Sequence, residues 1–530
     1  MDDGNTPEND GEERREYFLK GSSEMAKYLI GIDEGTTGTK VCVFDTEGHL
    51  VSSAYEEYPS YYPKPGYVEQ DVAQITDAFF NVCKKAVKKA KVDPADILAV
   101  SLSSQGAAMV LLDENGNVVR NRMIGWQDLR NIEVHDEIHA KISDDEHYAI
   151  EGSCVGGFNT GVLVWLQKNE PKTWKKVKRI CTNQDYFLHQ LGAEGYPCDI
   201  ASTHRISMLD VNKSEWSDVL RKAYGCENIE LPEVVTEPGK VVGEITEEVS
   251  EKTGFPVGCK ICVGAQDVNC SSYGVGGTTD DVATMVVGTF GGSYVVVDKP
   301  VRDPNKTILV KGNQGMGNWQ LEAFSHTAAS AFRWFRDKLC PLEVATSKLM
   351  GVDPYSLMTE IAEHSVPGSN GVTALTCLQG SHGRKVNDAT RGTFLGITLG
   401  TEKADLAHAV LEGICYEMYD ILLMQEAFAK PVRAVRLSGG VTKSPMWCQM
   451  FADIMNRSIE LCESPEAGAL GAAMYAGVGV GVFKDCIDAA EKCVRVKEAY
   501  EPIPENVEEY KKAFARWNEA FDALNGTFYR

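Results

Sequence analysis

The chain has 530 residues, 43% of them hydrophobic and 24% charged, a balance that excludes a disordered polymer, a coiled coil and a collagen-like repeat. Its length predicts two to four domains rather than one. Lys and Arg total 53 against 76 Asp and Glu, a net charge of −23, and an acidic surface repels phosphate backbones, so nucleic acid is not an expected partner.

Residues 1–26 are acidic and polar and read as a flexible tail, without the basic-then-apolar order of a secretory leader. No run of about 20 apolar residues predicts a membrane span. The 16 cysteines are scattered singly, which predicts reduced thiols and a cytoplasmic protein. Residues 28–33 (YLIGID) form an apolar strand ending in an acid. The tight turn EGTTGT follows, then a second strand over 40–45 and a third over 49–58. Residues 72–91 carry Ile75, Phe79, Val82 and Val87 at helical spacing. A strand over 97–103 and a hairpin around Asn115-Gly116 come next. The one C-x-x-C, Cys259 to Cys262, lies in the apolar run CKICVG and reads as buried strand, not as a zinc site.

The second half repeats this grammar. A strand over 281–287 meets a Gly-rich turn at 288–292 and a further strand. A long helix over 402–427 carries Leu406, Val410, Ile414 and Tyr416. A strand over 432–438, the pair Gly439-Gly440 and a helix over 444–455 follow. Strand, Gly/Thr turn, strand thus occurs once in each half, which predicts two similar α/β domains facing a cleft. The expected first domain is 27–273 and the second 274–530, with the boundary in the glycine cluster between 271 and 280. Without a Pro/Ser-rich linker the domains should be packed and hinged.

Four constellations carry chemistry. In Asp33-Glu34-Gly35-Thr36-Thr37-Gly38-Thr39-Lys40 the glycines let the backbone wrap an anion, and exposed amides and threonine hydroxyls donate to phosphate oxygens. An acid at the strand end can hold Mg²⁺; read alone, the segment is equally a hairpin turn with an incidental acid. Gly288-Thr289-Phe290-Gly291-Gly292 occupies the matching place in the second half, so two turns could close on one triphosphate. Gly439-Gly440-Val441-Thr442-Lys443-Ser444 joins a strand to a helix N-terminus, a setting that suits a nucleotide. Gly264-Ala265-Gln266-Asp267-Val268-Asn269 places an acid directly after an apolar strand, where it either accepts a substrate proton or caps a helix.

Gly392-x-Phe394-x-Gly396-Ile397 followed by Asp405-Leu406-x-x-Ala409-Val410-Leu411-Glu412 resembles the long C-terminal signature of the FGGY carbohydrate kinases, in the actin/sugar-kinase/Hsp70 superfamily. Tyr62-Pro63-Lys64-Pro65-Gly66-Tyr67-Val68-Glu69-Gln70-Asp71 is similar to that family's early loop. The resemblance implies two actin-like, ribonuclease H-like domains around a central cleft and ATP-dependent phosphorylation of a small sugar or polyol. It implies Asp267 as the catalytic base and Asp33 as the Mg²⁺-associated acid. It further implies Gly35, Thr36, Thr37, Lys40, Gly288 and Thr289 at the phosphates, Gly439, Gly440 and Ser444 at the adenosine, and Gln105, Trp126, Asp128, Asp267 and Asn269 at the sugar. A homodimer is the family-level expectation.

The chain departs from the family at Val162, where a Lys is usual, and at Ser381-His382-Gly383-Arg384-Lys385, where Glu-Arg-x-Pro is usual. Gln105-Gly106-Ala107 lacks the Arg-Glu pair of glycerol kinases, which argues against glycerol. Gln105, Trp126 and Asp128 are similar to the xylulokinase arrangement, whereas Arg333 to Asp337 and Val366 to Val372 are more similar to autoinducer-2 kinases. A ketopentose is the first expected substrate, the autoinducer-2 precursor the second, and a non-catalytic sugar and nucleotide sensor on the same fold the rival from another class.

Overall fold

The computed structural model describes residues 26–315, 319–381 and 383–527. The expected acidic tail therefore lies outside the described residues, apart from Ala26, as does His382.

Strands β1 (Tyr28–Glu34), β2 (Gly38–Asp45), β3 (Leu50–Glu57), β4 (Ile97–Ser104), β5 (Val241–Glu244) and β6 (Lys260–Gln266) form one sheet in the order β5-β6-β4-β1-β2-β3. β1, β2 and β3 are an antiparallel meander, while β4 runs parallel to β1 and β6 parallel to β4. Both faces of β1 are covered, hence its nearly unbroken apolar run; β3, at the edge, is mostly exposed or half-buried. Helix α1 (Val72–Ala90) buries Ile75, Phe79, Val82 and Val87 on this sheet and is capped by Asp71, which accepts from the Gln74 amide. Helix α2 (Asp267–Gly274) leaves the end of β6 directly.

The chain then crosses to a second sheet of β7 (Val282–Val287), β8 (Gly291–Val297), β9 (Leu309–Gly312), β10 (Trp319–Ser325), β11 (Ala434–Ser438), β12 (Ser458–Cys462) and β13 (Val496–Tyr500), ordered β9-β10-β8-β7-β11-β12-β13. Its centre repeats the first: β7 pairs antiparallel with β8 and parallel with β11, and β11 parallel with β12. Helices α3 (Lys403–Glu426) and α4 (Pro445–Met455) cover it. The two-domain α/β architecture with a cleft between actin-like halves is the fold expected from the sequence.

Two junctions hold the halves in place. Helix α5 (Ala467–Gly479), AGALGAAMYAGVG, returns from the second half to cover the first sheet. Its small residues bring backbone onto backbone: a Cβ on Gly31 would stand 1.8 Å from the Ala469 carbonyl oxygen, and one on Gly471 would stand 2.0 Å from that of Cys270. At the other junction the β9–β10 region docks on the first domain. Tyr148 donates to the Ile308 carbonyl (2.7 Å), the Val310 amide to that of Gly152 (3.0 Å), and the Trp319 indole to that of Val211 (3.0 Å).

Candidate active site

In the first sheet Asp33 pairs with Ser103 across β1 and β4, and Ala265 pairs with Ser103 across β6 and β4. Asp33 and Asp267 therefore stand at the C-terminal ends of parallel strands with one strand between, about 10 Å apart at two strand spacings. That edge is where open α/β sheets bind ligands. Ser103 donates to Asp33 Oδ1 (2.7 Å), and Oδ2 has no hydrogen bond among the described residues. Burial raises Asp33 above the usual carboxylate range, with Ser103 and Lys40 opposing it. Lys40 itself reaches across to the second half, 2.7 Å from Glu466.

Asp267 accepts on Oδ1 from the Val268 amide (2.7 Å) and from the Gln266 side-chain amide. Burial and then the Asp33 charge push it up to about 6, against Arg205, the Val268 amide and Lys311. A carboxyl poised there, with one oxygen anchored and the other without a partner among the described residues, is suited to taking a proton near neutral pH.

Glu34 points to the opposite face from Asp33 and is wholly buried. It accepts from Tyr58 (2.9 Å), Gln105 (3.0 Å) and Asn183 (2.9 Å). Burial pushes it up to about 8 despite these donors. Gln105 also donates to Gln70 (3.2 Å), and Gln70 to the Thr36 carbonyl (2.6 Å). Gln105, expected at the sugar, is thus placed as a brace beneath the first Gly-Thr turn. That turn closes with the Gly35 amide on the Gly38 carbonyl (3.1 Å) and leaves Thr37 exposed.

The other residues expected at the sugar have these partners. Trp126 is 45% exposed and donates its indole N–H to Thr36 Oγ (2.9 Å), so it stands over the turn. Asp128 is buried, with its oxygens taken by the Val68 amide (2.6 Å) and the Arg130 guanidinium (2.8 Å). Arg130 and Arg120 then share Glu69, at 3.0 and 2.8 Å. Asp128 therefore sits in a charged network that holds the early loop. Asn269 is buried and donates to Asn313 (2.9 Å), tying α2 to the second half.

In the second sheet Gly288 follows β7 and Gly439 follows the neighbouring parallel strand β11. The Gly288 amide donates to the Phe290 carbonyl (2.9 Å), and Thr289 is exposed. Gly439 has φ +98°, and a Cβ there would stand 2.4 Å from the Val287 carbonyl oxygen, so the two turns touch through backbone. A Cβ on Gly440 would meet nothing within 4 Å, which leaves room against the backbone for a flat ligand. Ser444 accepts from the Trp447 amide (3.3 Å) as the N-cap of α4. Ser444→Ala is expected to cost about 1 kcal/mol of stability, read as a lower melting temperature.

A charged cluster beneath Asp267 was not signalled by any motif. Arg205 Nη2 donates to Gln266 Oε1 (3.2 Å) and to Glu322 Oε2 (2.8 Å), and Lys311 Nζ lies 2.7 Å from the same Glu322 oxygen. Arg205 stacks over Phe158 with its guanidinium carbon 4.6 Å from the ring centroid. Although burial works against its charge, Arg205 and Lys311 hold Glu322 at about 2, while burial and the Arg205 charge bring Lys311 down to about 8. His204 ends a short helix, Arg205 follows it, and both are buried and hydrogen-bonded. Asp185 is buried and closes the capping box of the helix Asn183–Leu191. The available signal was in the strands: Lys311 and Glu322 are lone charges in apolar runs, which a sheet buries only with partners.

Among the described residues no group of three or more His, Cys, Asp and Glu side chains gathers to hold a metal ion. No helix among them is long and apolar enough to cross a membrane.

Residues 28–274 match the N-terminal domain, and residues 283–480 the C-terminal domain, of the FGGY family of carbohydrate kinases. A glycerol kinase of Thermococcus gammatolerans is 28% identical, over 95% of this chain and 99% of its own. An autoinducer-2 kinase of Salmonella paratyphi A is 26% identical, over 94% of this chain and 95% of its own. The solved structure of ligand-bound xylulose kinase from Lactobacillus acidophilus superposes with a TM-score of 0.86 at 25% identity, covering 94% of this chain and 99% of that one. Matched along both halves, the chain belongs to the FGGY family of carbohydrate kinases and is a phosphotransferase that acts on a sugar hydroxyl.

Proposed function

We propose that this protein transfers the γ-phosphate of ATP to a hydroxyl of a small sugar or polyol, with a ketopentose of the xylulose kind as first candidate. The observation that carries the reading is Asp267, at the mouth of β6 with Oδ1 anchored and Oδ2 without a hydrogen bond among the described residues, on the same sheet edge as Asp33. In this reading Asp267 accepts the hydroxyl proton as the oxygen attacks phosphorus in line. Positioning and charge neutralisation do most of the remaining work in phosphoryl transfer. The amides and hydroxyls at Gly35, Thr36, Thr37, Gly288 and Thr289 would receive the phosphates, and Gly439 and Gly440 the adenosine. The hard oxygen of Asp33 Oδ2 fits Mg²⁺, which is commonly held by one or two carboxylates with substrate phosphates and which neutralises phosphate charge. Gly106 and Ala107 supply no charged side chain to the loop after β4, which favours a ketose over glycerol despite the glycerol kinase likeness. The autoinducer-2 kinase likeness supports 4,5-dihydroxy-2,3-pentanedione as the second candidate.

Coupled ADP release with Mg-ATP against D-xylulose, L-xylulose, ribulose, glycerol, gluconate and 4,5-dihydroxy-2,3-pentanedione tests the reading. Strong turnover of one compound is expected. Sugar binding without turnover across the panel would replace the kinase by a sensor.

Asp267 must be ionised to act as base. Its pKa is raised to about 6, so kcat/KM should climb as pH rises through about 6. Mg²⁺ beside Asp33 would move this limb to lower pH by cancelling the Asp33 charge. A profile flat down to pH ~4.5 would remove Asp267 from the role.

A further inference from the structure

We propose that Arg205 is a positioning residue for Asp267, acting through the side-chain amide of Gln266 to decide which carboxylate oxygen is free to take the proton. This rests on the kinase reading and goes beyond it to a residue that no motif singled out. Arg205 Nη2 donates to Gln266 Oε1 at 3.2 Å. That contact fixes the amide so that its Nε2 faces Asp267 and donates to Oδ1. The Val268 amide donates to the same oxygen at 2.7 Å. Both donors fall on Oδ1, leaving Oδ2 without a hydrogen bond among the described residues.

The guanidinium is itself held from three sides. Glu322 on β10 of the second sheet accepts from Nη2 at 2.8 Å. The Phe158 ring lies under the guanidinium. Gly106 lies against the stem, where a Cβ would stand 3.0 Å from Arg205 Cγ. The absence of a side chain at 106 is therefore what admits Arg205 to this place. A base gains from fixed geometry because an acceptor displaced by even 1 Å loses much of its advantage. Among the described residues, the charged and titratable groups around Asp267 include Asp33, Arg205, Lys311, Tyr294 and, through Arg205 and Lys311, Glu322.

A double-mutant cycle on kcat separates a relay from simple packing. Arg205→Met is expected to lower kcat by roughly 10- to 100-fold with KM for ATP nearly unchanged. Gln266→Leu should do the same, and the double variant should be no worse than the poorer single variant, because both substitutions break one chain. Arg205→Lys, which keeps charge but loses the planar fork, should recover only part of the loss. Effects that multiply in the double variant, or an Arg205→Met enzyme within 3-fold of wild type, would overturn the relay while leaving the kinase reading intact. A wild-type protein silent on the whole sugar panel would overturn the reading and the relay together. Arg205→Met and Arg205→Lys are compared at matched folded fraction, by circular dichroism, and an Arg205→Lys enzyme with full wild-type kcat would also overturn the relay.

Discussion

Replacing Asp267 by Asn is expected to lower kcat by at least about 10²-fold while the protein stays folded and binds Mg-ATP. The substitution is nearly isosteric. The new Oδ1 can still accept from the Val268 amide and from Gln266. What changes is the other position, where an oxygen able to take a proton becomes an N–H₂ that cannot. KM for the sugar should move little, since shape and most hydrogen bonds survive, so the loss should fall on kcat. Stability should not fall. The folded-state pKa of Asp267 is raised to about 6 from 3.8, so ionisation between those values is unfavourable to the fold, and a neutral amide avoids it. Steady-state kinetics with a thermal melt decides the matter: an unchanged kcat in a folded Asp267→Asn protein removes the base assignment.

The sequence carried the strands and turns well because they depend on local chemistry. The run YLIGID, the Gly-Thr turn and KVCVFD stand where their apolar alternation and glycines put them, and Asp267 follows its strand directly. What sequence did not carry were choices made by distant partners. Nothing in AGALGAAMYAGVG says that this helix leaves its own sheet to lie on Gly31, because small residues only permit a close approach and do not name what approaches. Gln105 and Asp128 are expected at the sugar, and the structure gives the Gln105 side-chain N–H₂ to Glu34 and Gln70 and the Asp128 carboxylate to Arg130. Each of those donors or acceptors is remote in sequence or lies in a loop without periodicity. Glu34 is instructive: two consecutive acids at a strand end must point to opposite faces. One faces the cleft, so the other requires a buried polar nest, which Tyr58, Gln105 and Asn183 supply. The pair Asp33-Glu34 held that signal, but not the identity of the partners.

The largest effect on stability is expected at Glu322. It pairs both Arg205 and Lys311, at 2.8 and 2.7 Å, and all three side chains are almost sealed from water. Glu322→Ala would leave two buried cations facing each other and Asp267. Breaking a buried pair by removing one partner costs about 3–5 kcal/mol, far more than the pair contributes relative to apolar residues. The melting temperature should therefore fall by roughly 3–5 °C for a chain of this size, or the variant should fail to accumulate as folded protein. The pairing also sets a pH window. Glu322 is held at about 2 against an ordinary 4.5, so its contribution is complete above pH 4.5 and is lost as pH falls through about 2. Between those values the gap between wild type and variant should shrink. The double variant Glu322→Ala/Lys311→Met provides the control. It removes one of the stranded charges and fills the space with an apolar chain, so it should recover a large part of the lost stability. Recovery identifies the cost as electrostatic, since a packing defect alone would deepen with the second substitution. The restored protein should nevertheless stay slow, because Arg205 would have lost the carboxylate that aims it at Gln266 and, through it, at Asp267.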